Sequence, residues 1–242
     1  TIFVFPEGAL TNVYLEDLKN YSYIFSENYS EKHKIIIGIN SIEDEKVFNS
    51  MVVLDKDLNI LTKYNKNKLV PFGEFLPFEN FFRKIGLKKV SFGYESFSPG
   101  KERKLISLQD NYFNFIPLIC YEIIYSGKIN LSKEDTNFII NISEDGWFGD
   151  SVGPYQHFSH TIFRAIEEGK NIIRSTNNGK SAYIDANGLV VSSLETTKKG
   201  VIVVKNYKKF NETFFSKFGN NIFFYILIFY FILILFLKRR ET

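Results

Sequence analysis

Phe115-Ile116-Pro117-Leu118-Ile119-Cys120-Tyr121-Glu122-Ile123-Ile124 is an apolar, β-branched run that reads as a buried strand and ends at the single cysteine of the chain. Helix-compatible residues follow at once, so the thiol stands on a sharp strand-to-helix turn. A sulfur there points out of the end of a sheet and lies near helix N-terminal amides, which favour a thiolate and can hold an oxyanion. That is how a nucleophile is presented. The plainer reading of a lone cysteine in an apolar strand is a small buried hydrophobe, so its companions elsewhere in the chain have to decide.

Upstream, residues 2–5 form a strand that is stopped by Pro6 and delivers Glu7-Gly8 at its end. Residues 12–29 place Val13, Leu15, Leu18, Tyr21, Ile24 and Phe25 at roughly helical spacing and predict a helix over one face of a sheet. Residues 34–39, 47–54 and 60–64 are strands, the last two joined through Asp55-Lys56-Asp57-Leu58. Between Tyr64 and Pro77 two prolines and a glycine forbid a regular element, yet Leu69, Val70, Phe72, Phe75 and Leu76 are too apolar for a solvated linker. An ordered, partly buried loop carrying Lys66, Lys68 and Glu74 is the consequence, and long ordered loops usually have a function. Residues 81–100 are aromatic and irregular and read either as a lid or membrane-facing loop, if they border lipid, or as ordinary surface loop.

Downstream, residues 104–108 and 112–119 pair across Gln109-Asp110-Asn111. A short helix after Cys120 leads to a strand at 136–142, which ends in Ser143-Glu144-Asp145-Gly146-Trp147-Phe148-Gly149. Residues 156–169 predict a helix with Phe158, Thr161, Ile162, Ala165 and Ile166 as its inner stripe and Gly169 as its C-cap. Strands at 172–176, 181–185 and 201–204 follow, with Asn178-Gly179 and Asn187-Gly188 as tight-turn signals. Strands and helices in this order suit a layered α/β fold.

At 242 residues and 45% hydrophobic, the chain fits one domain with a sizeable core. The net charge is +3, and Lys238, Arg239 and Arg240 stand together at the C-terminus, so no basic face remains for nucleic acid. A single cysteine forms no intrachain disulfide and leaves the redox compartment open. The chain starts with Thr1 and enters a strand directly, as expected for a piece of a longer polypeptide. Residues 222–237 carry no charge, and counting back to Phe218 gives enough helix to cross a hydrocarbon core of about 30 Å. We expect a catalytic domain at 1–210, a transmembrane helix at 218–237 and a basic tail at 238–242. The basic cluster places the tail in the cytoplasm and everything before residue 218 on the opposite side.

Glu7, Lys66 and Cys120 share one structural address, at or just beyond the end of an apolar strand, where open α/β sheets gather ligands. Together they form an acyl-transfer set. Cys120 attacks a carbonyl, Glu7 takes and returns the proton, and Lys66 with a backbone amide near Tyr121 steadies the oxyanion. Taken singly, Glu7 reads as a surface acid, Lys66 as a solvated lysine and Glu122 as a first-turn acid favoured by the helix dipole. His157 and His160 share a helical face, but no third ligand at suitable spacing accompanies them, so they read as hydrogen-bonding, helix-positioning residues and not as a metal site. Trp147 and Phe148 are expected as the wall or gate of an acyl pocket.

Phe5-Pro6-Glu7, Tyr64-x-Lys66 running into Leu69-Val70-Pro71-Phe72-Gly73-Glu74, Ile119-Cys120-Tyr121-Glu122 and Asp145-Gly146-Trp147-Phe148-Gly149 resemble the signature blocks of the nitrilase superfamily, and within it the bacterial apolipoprotein N-acyltransferase branch. Arg164-Ala165-Ile166-Glu167 and Arg174-Ser175-Thr176-Asn177-Asn178-Gly179 extend the likeness to nearly all of residues 1–205. The resemblance implies a four-layer αββα sandwich whose first strand and helix precede Thr1, a multi-helix membrane region before it, and a Glu-Lys-Cys triad falling on Glu7, Lys66 and Cys120. By matching position it also implies that Glu74, Tyr121 and Glu122 are required, Glu74 as a second carboxylate beside the lysine. It implies a phospholipid acyl donor, a Cys120 thioester, a diacylglyceryl-cysteine lipoprotein as acceptor, the bacterial inner membrane as location with the catalytic domain on its periplasmic side, and neither cofactor nor metal. The chain departs from the branch at Phe5, where tryptophan is usual, at Glu144, where asparagine is usual, and near Thr11, where a proline is common. A membrane-anchored amidase or nitrilase using water as acceptor is the alternative activity, and a non-catalytic anchored partner domain is a third reading.

Overall fold

The computed structural model describes residues 1–78, 96–108, 113–127, 129, 136 and 138–240. The loop at 81–100, read as a lid or as surface, falls largely on residues outside this set, as does the Gln109-Asp110-Asn111 turn. Two β-sheets stack face to face with helical turns on their outer sides, which is the expected αββα sandwich.

The first sheet takes β1 (Ile2–Val4), β2 (Lys34–Glu43), β3 (Lys46–Leu54) and β4 (Ile60–Asn65) in sequence order, β1 parallel to β2 and the rest antiparallel. The second contains β5 (Ile106–Leu108), β6 (Phe113–Ile119), β7 (Phe138–Glu144), β8 (Asn171–Asn177), β9 (Ser181–Ile184) and β10 (Val190–Leu194). Its order is β10-β9-β8-β7-β6-β5, with β6, β7 and β8 parallel at the centre. Such central strands are covered on both faces, which is why they read as unbroken apolar runs. Pairing with β5 reaches only Phe115, so Pro117, which has no N–H to give, sits where β6 has a strand neighbour on one side only.

Side-chain alternation divides the core into three. Ile36, Met51 and Val53 of the first sheet meet Phe115, Ile119, Phe138, Ile140 and Ile142 of the second in the central layer. On the far face of the second sheet, Ile116, Leu118, Ile139 and Ile172 pack against Phe158 and Ala165. On the far face of the first, Ile35, Ile37, Ile39 and Val52 are covered by Leu15, Leu18 and Phe25. At about 25 cal/mol per Å² of apolar surface removed from water, these layers hold the sandwich shut.

Three sequence expectations need correction. The helix at 12–29 is a 3-10 segment, Leu15–Tyr21, followed by the short α1 (Ser22–Ser26), because Leu15, Leu18 and Tyr21 repeat every three residues, the period of a 3-10 helix. The last strand is β10, not 201–204: Ile202 and Val204 tuck against the core while Val201 and Val203 are exposed, yet no ladder pairs that segment among the described residues. The helix expected at 156–169 is α2 (Gly153–Glu168), ended as anticipated by Gly169 at φ +62°. Its inner face is rotated, however: His157, Phe158, Thr161, Arg164, Ala165 and Glu168 are buried and Ile166 is exposed.

The chain ends in α3 (Phe214–Phe218) and α4 (Asn221–Lys238), separated at Gly219 with φ +52°. At about 1.5 Å per residue α4 is about 27 Å long, wholly unburied and, by length and composition, apolar enough to cross a membrane. Its start is fastened to the sandwich. Thr213 Oγ1 donates to the Glu167 carbonyl, Ser216 Oγ to Glu168 Oε2 (3.1 Å) and Asn220 Nδ2 to the Ser126 carbonyl (3.1 Å).

Candidate active site

Glu7 follows β1, Lys66 follows β4 and Cys120 follows β6, so the two sheets deliver all three residues to one end of the central layer. Lys66 is 1% exposed. Its Nζ lies 2.8 Å from Glu74 Oε1 and 3.4 Å from Glu7 Oε1. Asn49, beside Ser50 in β3, donates from Nδ2 to Glu7 Oε1 at 2.6 Å and to Glu74 Oε1 at 2.9 Å. The other oxygen of Glu7 accepts the Glu144 amide at 2.7 Å, and the other oxygen of Glu74 accepts the Val70 amide at 2.8 Å. Two buried carboxylates thus share one lysine and one amide, and charge-assisted bonds fix all four groups.

Burial works against the charge on Lys66, but Glu7, Cys120 and Glu74 outweigh it and hold the ammonium above its ordinary pKa. For Cys120, burial and then the Glu7 charge push the thiol up to about 12 against the opposing pull of Lys66 and a hydrogen bond with Ser143. Burial thus opposes the thiolate that helix amides are expected to favour, and ionising the sulfur calls for a base at hand. Cys120 also has φ +49°, a left-handed backbone that costs a non-glycine residue about 1–2 kcal/mol.

Glu122 is fully buried and acts as a clasp between the cysteine turn and the lysine loop. The 3-10 turn Cys120–Ile124 carries it, and its Oε2 accepts the Ile119 amide at 2.9 Å. Its Oε1 accepts the Tyr64 hydroxyl at 2.6 Å and the amides of Asn67 and Lys68 at 3.0 and 3.1 Å. Ile119, just before Cys120, and both residues after Lys66 are thereby held at fixed separation. Tyr121 is half-buried, with its ring edge-on to Tyr125 at 5.5 Å. Trp147 and Phe148 are 62% and 41% exposed, so neither is a buried wall; they stand at the surface of the 3-10 turn Asp145–Phe148.

Behind Cys120 is a second polar group that sequence reasoning assembled only in part. His157 Nδ1 lies 2.9 Å from Asp145 Oδ1, and Nε2 lies 3.2 Å from the Cys120 carbonyl. Arg174 Nη2 reaches Asp145 at 2.8 and 3.1 Å, and Ser143 Oγ donates to Asp145 Oδ1 at 2.8 Å. Burial alone would raise the Asp145 carboxyl, but His157, Arg174 and Ser143 together hold it below the ordinary value. His160 is exposed and shares none of this, and no group of three metal-ligating side chains occurs among the described residues.

The sequence model of the carbon-nitrogen hydrolase family matches residues 2–206. The chain belongs to that family. The chain is 35% identical over 207 residues to the apolipoprotein N-acyltransferase of Rhizobium rhizogenes, covering 83% of this chain and 38% of that protein. It is 34% identical over 246 residues to the apolipoprotein N-acyltransferase of Wigglesworthia glossinidia brevipalpis, covering 98% of this chain and 48% of the relative. The chain therefore spans between a third and a half of the length of these relatives. Among solved structures, a CN-hydrolase superfamily protein from Xanthomonas campestris superposes with a TM-score of 0.58 at 14% identity, over 82% of this chain and 75% of the other. An amidase from Nesterenkonia sp. AN1 superposes with a TM-score of 0.55 at 14% identity, over 81% and 73%. At that identity the chain shares the fold of those two proteins and nothing finer.

Proposed function

We propose that the chain is the catalytic part of a membrane-bound acyltransferase that moves an acyl chain from a phospholipid to the N-terminal amine of a diacylglyceryl-cysteine lipoprotein. The observation that carries this reading is the buried cluster of Glu7, Lys66 and Glu74 acting electrostatically on Cys120, in a domain fastened to an apolar terminal helix. The resemblance to apolipoprotein N-acyltransferases supplies the substrates.

In the first half-reaction Glu7 removes the Cys120 proton as the sulfur attacks the phospholipid ester carbonyl. Lys66 and the backbone amide near Tyr121 hold the oxyanion, a contribution of about 3 kcal/mol for each well-placed donor. The ester C–O bond breaks, the departing alkoxide takes the proton from Glu7, and a lysophospholipid leaves behind a thioester. In the second half-reaction the lipoprotein amine attacks the thioester, giving its proton to Glu7. The C–S bond breaks, and the proton returns to sulfur. Because burial raises the thiol, each attack is coupled to proton transfer and no standing thiolate is needed. Glu74 keeps Lys66 charged and oriented, and Glu122 fixes the turn that presents Cys120.

The domain at 1–210 faces the periplasm, the helix crosses the inner membrane, and the tail at 238–242 lies in the cytoplasm. Trp147 and Phe148, exposed beside the site, serve as a gate for the acyl chain. Incubating the membrane-bound protein with phospholipid and measuring its intact mass tests the reading. An acyl adduct on Cys120, absent in Cys120→Ser and discharged by a diacylglyceryl peptide, is the expected result. A free thiol under turnover, or release of fatty acid without acylation of the peptide, sinks it, the latter in favour of a hydrolase.

A further inference from the structure

The cluster behind Cys120 has its own logic. His157 comes from α2, Asp145 from the turn after β7 and Arg174 from β8, three elements that meet only under the cysteine turn. Among the described residues the one hydrogen-bond partner of His157 Nε2 is the Cys120 carbonyl, an acceptor, so Nε2 carries a proton and donates it there. Nδ1 lies between an acceptor, Asp145 Oδ1 at 2.9 Å, and an obligate donor, Arg174 Nη2 at 3.2 Å, and both neighbours hold the ring in place. Asp145 is itself held by two Arg174 contacts and by Ser143. One buried carboxylate thus reaches the cysteine through His157, at its carbonyl.

The carbonyl that His157 grips belongs to the residue with φ +49°. A left-handed backbone at a non-glycine residue persists only where the surroundings over-determine it. We propose that His157 is a positioning residue: anchored on Asp145 and Arg174, it donates to the Cys120 carbonyl and holds the strained turn that aims the sulfur at Glu7 and Lys66. Without it the turn relaxes and the sulfur drifts from its base. A misplacement of about 1 Å costs on the order of 10²-fold in rate.

The inference rests on Cys120 being the nucleophile, as proposed above, but not on the identity of the lipid substrates. Its test uses p-nitrophenyl butyrate on the full chain, a small ester that needs only the nucleophile and its base. The wild-type chain should release a burst of one p-nitrophenol per molecule. His157→Leu should slow the burst about 10²-fold without reducing its amplitude. His157→Gln, whose amide keeps an N–H for the carbonyl, should recover at least about tenfold of that loss, although the two variants melt at similar temperatures. Equal burst rates in the two variants, or a rate in folded His157→Leu within about threefold of wild type, overturn the positioning role, since about 10²-fold is expected. No burst from the wild-type chain overturns the nucleophile as well. A wild-type burst without any acylation by phospholipid overturns only the substrate reading.

Discussion

Lys66 is nearly solvent-free and touches two carboxylates, so its charge is a structural necessity as well as a proposed catalytic one. Arginine would keep the charge, but its planar fork cannot place one compact donor between Glu7 Oε1 and Glu74 Oε1. Lys66→Arg should lower kcat/KM at least about 10²-fold, the cost of misplaced catalytic groups, with the melting temperature also reduced; an assay of acyl transfer beside a thermal melt checks both. The three residues of this site were legible in the sequence because each ends an apolar strand. Asn49 was not: a polar residue beside Ser50 in Lys46–Leu54 looks like a strand residue facing solvent, and only the fold shows it gripping Glu7 and Glu74. The Asp145–His157–Arg174 group escaped for a related reason, its members being common polar residues far apart in sequence. One signal was available. His157, Thr161, Arg164 and Glu168 recur at intervals of four, three and four residues, which marks a polar stripe down one helical face. Reading only the apolar members of α2 turned its inner face toward Ile166.

Among the elements, β2 approaches the site through Gly38. A β-carbon there would lie 2.5 Å from the Glu7 Cα, 2.7 Å from the Pro6 carbonyl and 2.8 Å from the Ile142 Cδ1 of the opposite sheet. Neither backbone atom can give way cheaply, so Gly38→Ala should displace Glu7. We expect acyl transfer to fall by about 10²-fold, the loss typical of a misplaced base, with near-native circular dichroism; kinetics and the spectrum on one preparation decide it. The junction between α2 and α3 is sensitive to pH. Burial raises the Glu168 carboxyl to about 7, with Glu167 adding to the rise and the Ser216 bond, Arg164 and Lys170 opposing it. Between the unfolded carboxylate value near 4.5 and the folded value near 7, the unfolded chain has released a proton that the folded chain retains. Stability therefore falls as pH rises across that window and stays lower above it. At about 1.4 kcal/mol for each tenfold change in ionisation, the loss is on the order of 3 kcal/mol. Glu168→Gln should flatten the melting temperature between pH 5 and pH 8 and raise it at the upper end, which calorimetry at both pH values will show. The strands were mostly readable because burial on both faces leaves an apolar run. The segment 201–204 was misread because alternation reports one-sided burial, whether or not a neighbour supplies hydrogen bonds.

At the scale of the molecule, one apolar helix leaves a sandwich to which it is tied at Glu167, Glu168 and Ser126. The proposed topology places the exposed turn at Lys198 and the tail at Arg240 on opposite sides of the inner membrane. In a Cys120→Ser background, cysteine introduced at Lys198 should react with an impermeant maleimide in intact spheroplasts, and cysteine at Arg240 only after lysis; the reverse pattern inverts the orientation. The proposed base and lysine belong to one sheet and the nucleophile to the other, and the stacking of the two, clasped by Glu122, brings them together. A molecule whose sheets have parted is left with a bare thiol, no base and no oxyanion partner. On the proposed mechanism the sulfur of an unfolded chain is therefore idle, and acylating activity should appear only once the two sheets have met.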